Sequence, residues 1–148
     1  MTIAIVLACL VEASDQQSSS GSIKAWSSTN GSFGKVWHLS IHSDDSAIVS
    51  DSSELGANSS ERRFKISTAQ REAILRAAEE AQFFALPASL GPSSVPVDGP
   101  ENTLEIELRG RVHKVFLNDP ASAKGPQVER FRRVWRAVVE TSPIKPPL

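Results

Sequence analysis

Ser67-Thr68-Ala69-Gln70-Arg71-Glu72-Ala73-Ile74-Leu75 opens a stretch that passes through Phe83-Phe84-Ala85-Leu86-Pro87 and closes on Leu104-Glu105-Ile106-Glu107-Leu108-Arg109-Gly110-Arg111-Val112-His113-Lys114-Val115-Phe116-Leu117. Ser67, with Gln70 three positions on, forms a capping box in which hydroxyl and amide side chains each satisfy an orphan backbone N–H. A helix therefore starts there. Ile74, Leu75, Ala78, Ala81 and Gln82 fall on one stripe, Arg71, Glu72, Arg76, Glu79 and Glu80 fall elsewhere, and Pro87 forbids continuation. Phe83, Phe84 and Leu86 are placed to plug the end of a core. Beyond them Leu104, Ile106 and Leu108 share one face of a strand, and His113, Val115 and Leu117 meet them across a turn at Gly110. Helix followed by hairpin, with both apolar surfaces one-sided, specifies an α+β domain.

Upstream, the pattern has the period of strands. Ile23, Ala25 and Ser27 alternate with Lys24, Trp26 and Ser28, and Asn30-Gly31 supplies residues that tolerate positive φ in a tight hairpin. Val36 to His42 puts Trp37, Leu39 and Ile41 on a core face, with Val36, His38, Ser40 and His42 opposite. Asp44-Asp45-Ser46 is turn chemistry leading to a short strand, 47–50; a loop, 51–60, precedes another strand over 62–66. Downstream, Gly125-Pro126 starts a second helix whose stripe is Val128, Phe131, Val134, Trp135, Val138 and Val139. The expected order is β-β-β-β-α-β-β-α, an antiparallel meandering sheet with both helices on one face. Residues 1–22 form an apolar run and Ser-rich tether, 23–141 one domain, and 142–148, with three prolines, an extended tail.

The chain has 148 residues and a formal net charge of -1, which suits a single core. Residues 1–58 hold two Lys against six acids, and 101–148 hold nine Lys or Arg against six acids. That mild asymmetry, without a strongly basic face, argues against nucleic acid as a partner. The single cysteine, Cys9, precludes an intrachain disulfide. Thr2 to Val11 is too short to span a membrane, and Val6-Leu7-Ala8-Cys9 resembles the lipobox at which bacterial lipoproteins are lipidated. On that reading Cys9 is a lipid attachment point and the protein extracytoplasmic. The alternative, an extra strand or frayed apolar end, leaves it cytoplasmic.

His38, His42, Asp44 and Asp45 are the one His and carboxylate cluster, but residues four apart on a strand are separated by roughly 13 Å, too far for one zinc. His113 lies on the apolar face without a nucleophile in any recognisable motif near it. No metal, cofactor or catalytic activity is therefore expected. Residues 88–102, with prolines at 92, 96 and 100 and glycines at 91 and 99, form a long aperiodic segment whose restricted freedom suits a recognition loop. The arginines flanking the second helix stripe are the other binding candidates.

Thr29-Asn30-Gly31-Ser32-Phe33-Gly34, the helix end Ala81-Gln82-Phe83-Phe84-Ala85-Leu86-Pro87, Asp98 before a strand and Asn118-Asp119 after the next resemble, in this element order, the emfourin family of small bacterial inhibitors of thermolysin-like metalloproteases. The likeness covers roughly Ile23 to Glu140; Asn30 stands where the family has glycine, and segments 51–60 and 88–102 look longer. The resemblance implies a non-enzymatic, monomeric, protein-binding domain without cofactor. Its metalloprotease partner would be met by Asn30, Gly31, Phe33, Asp98 and Glu101. The alternative expectation is an envelope lipoprotein with a structural or ligand-binding role.

Overall fold

The computed structural model describes residues 21–29, 34–53, 58–92 and 99–147. Its strands are β1 (Gly21–Ser28), β2 (Val36–Ile41), β3 (Ser46–Ser53) and β4 (Asn58–Lys65), followed by α1 (Thr68–Glu80). A single 3₁₀ turn (Phe83–Ala85) leads to β5 (Ser89–Leu90), β6 (Glu101–Leu108), β7 (Arg111–Asn118) and α2 (Pro126–Thr141). The sheet order is β4-β3-β2-β1-β6-β7-β5, antiparallel except where β5 runs parallel to β7. The fold is α+β, as the sequence pattern requires.

Register shows why one face is core. Ile23 lies between Ile41 and Ile106, and Ala25 between Leu39 and Leu104; in the next row Ser27 is flanked by Trp37. All of these are buried, as are Val115 and Leu117 on β7, while Lys24 and Trp26 between them are exposed. The buried set is continuous with Ile74, Leu75 and Ala78 of α1 and Val128, Phe131, Val134 and Val138 of α2, so both helices cover that face. Each large side chain taken out of water in this way contributes about 1.5–3 kcal/mol. Trp135 is partly buried at the rim, stacked on Phe131 and edge-on to Trp37.

The capping box forms as expected: Ser67 Oγ accepts from the Gln70 N–H at 3.1 Å and Gln70 Oε1 from the Ser67 N–H at 2.8 Å. Arg71, expected on the solvent side, is instead 1% exposed. Its Nε donates to Asp45 Oδ1 at 2.6 Å, and Thr68 Oγ1 donates to Asp45 Oδ2 at 2.5 Å. The Ile66 N–H donates to the Asp45 carbonyl at 3.1 Å. One aspartate in left-handed conformation, φ 65°, thus ties the β2–β3 turn to the end of β4 and the first turn of α1. A charged residue enters the helix stripe because its partner is supplied from another element. Gln82, assigned to the stripe, is exposed and left-handed at φ 51°, because α1 has ended at Ala81.

Three other expectations are corrected. The 51–60 loop is largely strand: β3 continues to Ser53, and Ser46 to Ser53 pair with Lys65 to Asn58 without interruption. The serine-rich ends of the two strands carry no hydrophobic contrast, so periodicity does not mark them, although Ala47 and Val49 in the same ladder are buried. Segment 88–102 contributes the short β5, held by the Phe116 N–H on the Ala88 carbonyl at 2.9 Å. The proline tail packs on the domain: Trp37, fully buried, donates its indole N–H to the Ile144 carbonyl at 2.8 Å, and Lys145 Nζ caps α2 through the Val139 carbonyl. A core tryptophan needs an acceptor, and the tail provides it.

Candidate functional site

Cys9, Asn30, Gly31, Phe33 and Asp98 lie outside the described residues, and Glu101 is the one candidate contact among them. It begins β6, beside Ser28 at the end of β1 and Asn118 at the end of β7. Its carboxylate accepts from Thr103 Oγ1 at 2.7 Å. On the β1 side, Thr29 closes the chain toward β2: its N–H donates to the Lys35 carbonyl at 3.1 Å, and its hydroxyl accepts from the Lys35 N–H at 3.0 Å. The segments that lead into 30–33 and out of 93–98 are therefore neighbours at one end of the sheet.

A depression of about 490 Å³ sits at that end, walled by Trp135, Pro100, Pro120 and Pro146 with Ser28 and Asn102 as polar groups. Its size and apolar lining with few hydrogen-bonding groups are those of a site for a side chain or small ligand. Sequence reading assigned Trp135 wholly to the core; in the structure it is partly buried and lines this rim together with Pro146. A second depression, about 730 Å³, lies before α2 between Gly91 and Pro126, with Lys124 as its titratable group.

The histidines and turn carboxylates separate by role. His38 lies on the uncovered face of the sheet with its ring edge-on to Trp26, centroids 5.9 Å apart. Burial, and then the nearby Lys24 charge, push its pKa below the ordinary histidine value. His42 is exposed in the following turn. Asp44 accepts from the Ser46 hydroxyl at 2.6 Å and the Ser46 N–H at 3.1 Å, which holds its carboxyl below the usual range. Asp45 is held low by Thr68 first and then Arg71. Both acids are thus committed to turn structure. His113 Nε2 is 2.9 Å from the Leu86 carbonyl, and since a carbonyl only accepts, that nitrogen carries hydrogen. Phe83 and Phe84 pack on its ring. No group of three or more metal-ligating side chains converges among the described residues.

Two of the α2 arginines are used internally. Arg130 donates to the Ala81 and Gln82 carbonyls at 2.6 and 2.7 Å, and Arg132 to the Pro120 and Ala123 carbonyls at 2.8 and 2.9 Å. Trp26, 49% exposed amid Lys24, Ser28 and Thr103, is the large aromatic that the alternation placed on the polar face. Its signal in sequence was a tryptophan out of phase with the core positions. No described helix is long and apolar enough to cross a membrane. Comparison with family models and with curated proteins gives no match for this chain.

Proposed function

We propose that this chain is a non-enzymatic, extracytoplasmic protein-binding domain that inhibits a thermolysin-like metalloprotease through the loop end of the sheet. The observation that carries this reading is the pairing of Ser28 with Glu101, which makes neighbours of the segments flanking 30–33 and 93–98, beside the Trp135 depression. It is the same pair of segments that the emfourin resemblance singles out. A thermolysin-like enzyme keeps one zinc position open for water or substrate, so an inhibitor acts by filling that cleft. Loops fixed at their bases by strand pairing do so with little ordering cost.

The test is inhibition of thermolysin, and of a metalloprotease from the same host, by the full chain. Submicromolar inhibition is expected, weakened by Asp98→Ala with Glu101→Ala in a protein whose melting temperature is retained. Absence of inhibition by folded protein overturns the reading and favours the envelope-lipoprotein role suggested by Val6-Leu7-Ala8-Cys9.

A further inference from the structure

The two edges of the sheet are built differently. At one, β5 is two residues long, with Pro87 before it and Gly91-Pro92 after it, which blunts that edge. At the other, β4 runs for eight residues without proline, glycine or a break in register. The hydrogen bond from the Ile66 N–H to the Asp45 carbonyl fixes which of its residues face β3. In an antiparallel ladder, residues that exchange bonds with the partner strand alternate with residues whose N–H and C=O point away. Counting back from Ile66, the even positions bond to β3. Ser59, Glu61, Arg63 and Lys65 turn their backbone groups outward, where the sheet ends among the described residues.

Charge selects what can pair there. Arg62, Arg63 and Lys65 are exposed against one acid, Glu61, whose Oε1 is 3.1 Å from Arg63 Nε. Asp51, the acid nearest on β3, is engaged by the Ser60 hydroxyl. A second copy is disfavoured. In an antiparallel two-fold pairing centred on Arg62, Glu61 of each strand faces Arg63 of the other, but Arg62 opposes itself, Lys65 finds only Ser59, and the pair keeps an excess of two positive charges per strand, which an acidic strand removes. Like charges directly opposite destabilise a strand pair, and opposite charges stabilise it.

We propose that β4 is a strand-addition site for an extended acidic segment of a partner protein, which would join the sheet as an eighth strand. The four outward residues supply main-chain bonds, and Arg63 and Lys65, which share the uncovered face, meet carboxylates at alternate positions of the added strand, while Arg62 adds positive charge on the other face. This edge lies three strand spacings, roughly 14 Å, from β1, so the inference does not rest on the inhibitory end.

The experiment uses the full chain and a fluorescent, end-blocked heptapeptide alternating valine with glutamate, with a valine–lysine peptide as control. Anisotropy is expected to show binding of the acidic peptide alone, weakening as salt is raised. Hydrogen exchange is expected to show new protection at Ser59, Glu61, Arg63 and Lys65. Arg63→Pro removes an outward N–H without removing a bond to β3, and should weaken binding by about tenfold. Arg63→Glu with Lys65→Glu, which reverses the two charges that share a face and leaves the backbone intact, should lose the acidic peptide and gain the basic one. Equal binding of both peptides, protection elsewhere, or unchanged affinity in the charge-reversed protein overturns the proposal. So does a concentration-dependent dimer, in sedimentation of the peptide-free chain, that the Arg63→Pro variant abolishes.

Discussion

Gly91 joins two constraints that no other residue type meets. Its φ is +98°, and a Cβ built there would stand 2.2 Å from the Asn118 carbonyl oxygen, at the end of β7. Gly110 offers the comparison, with φ +74° and open space around the added carbon. Alanine at Gly110 is expected to cost about 1 kcal/mol, the left-handed penalty alone. Gly91→Ala should cost about 2–4 kcal/mol, because the clash is with backbone and β5 must move off β7. Thermal unfolding of the two variants side by side checks this, and equal losses would mean that β5 carries no weight in the fold.

At the scale of elements, the end of α1 depends on α2. The last carbonyls of a helix lack partners within it, and α1 ends without glycine or a basic residue in its final turn. Arg130 supplies a donor to the carbonyl of Ala81, which caps α1, and a second to Gln82 just beyond it, with a positive charge at the negative end of the helix dipole. Arg130→Met, which keeps the apolar stem, should therefore destabilise by about 1.5–3 kcal/mol, the range for hydrogen bonds to a charged group. Arg133→Met, at an exposed site on the same helix, should fall within about 0.5 kcal/mol of the parent in denaturant unfolding. In sequence, helical period puts Arg130 at the margin of the stripe and Arg133 opposite it, but nothing there gives Arg130 a partner. What distinguishes them is the approach of α1, a contact between residues nearly fifty positions apart. The same limit explains Arg71, buried by a turn aspartate, and Ile144, recruited by Trp37. Elements whose burial alternates were legible: the α1 cap, the β6–β7 hairpin, and the phases of β1 and β2. So were the strands over 47–50 and 62–66; their serine-rich extension through 51–53 and 58–60 and the two-residue β5 were not, because neither has apolar contrast. For the candidate site, sequence named the segments at the loop end, while their adjacency required the β1–β6 pairing.

The molecule as a whole should lose stability with acid in two stages, each traceable to a different side of the sheet. His38 is held below the ordinary value of 6.5 by burial and then by Lys24, so as pH falls past that value the unfolded chain takes a proton that the folded chain resists. Where the unfolded state binds more protons, stability falls with pH, and a shallow decline begins in mild acid. Asp44 and Asp45 are held below 3.8, chiefly by the Ser46 hydroxyl and by Thr68 with Arg71 respectively. Their contribution is complete above 3.8 and disappears as pH drops through the lower folded values, giving a steeper second decline. Melting temperatures measured from about pH 8 to about pH 3 should show both stages. His38→Gln is expected to flatten the first and leave the second. Asp45→Asn should lower stability already at neutral pH, because it weakens the tie among the β2–β3 turn, β4 and α1, and it should flatten the second. If Asp45→Asn leaves the acid limb unchanged, the junction at Asp45 does not govern acid unfolding, and the remaining carboxylates must.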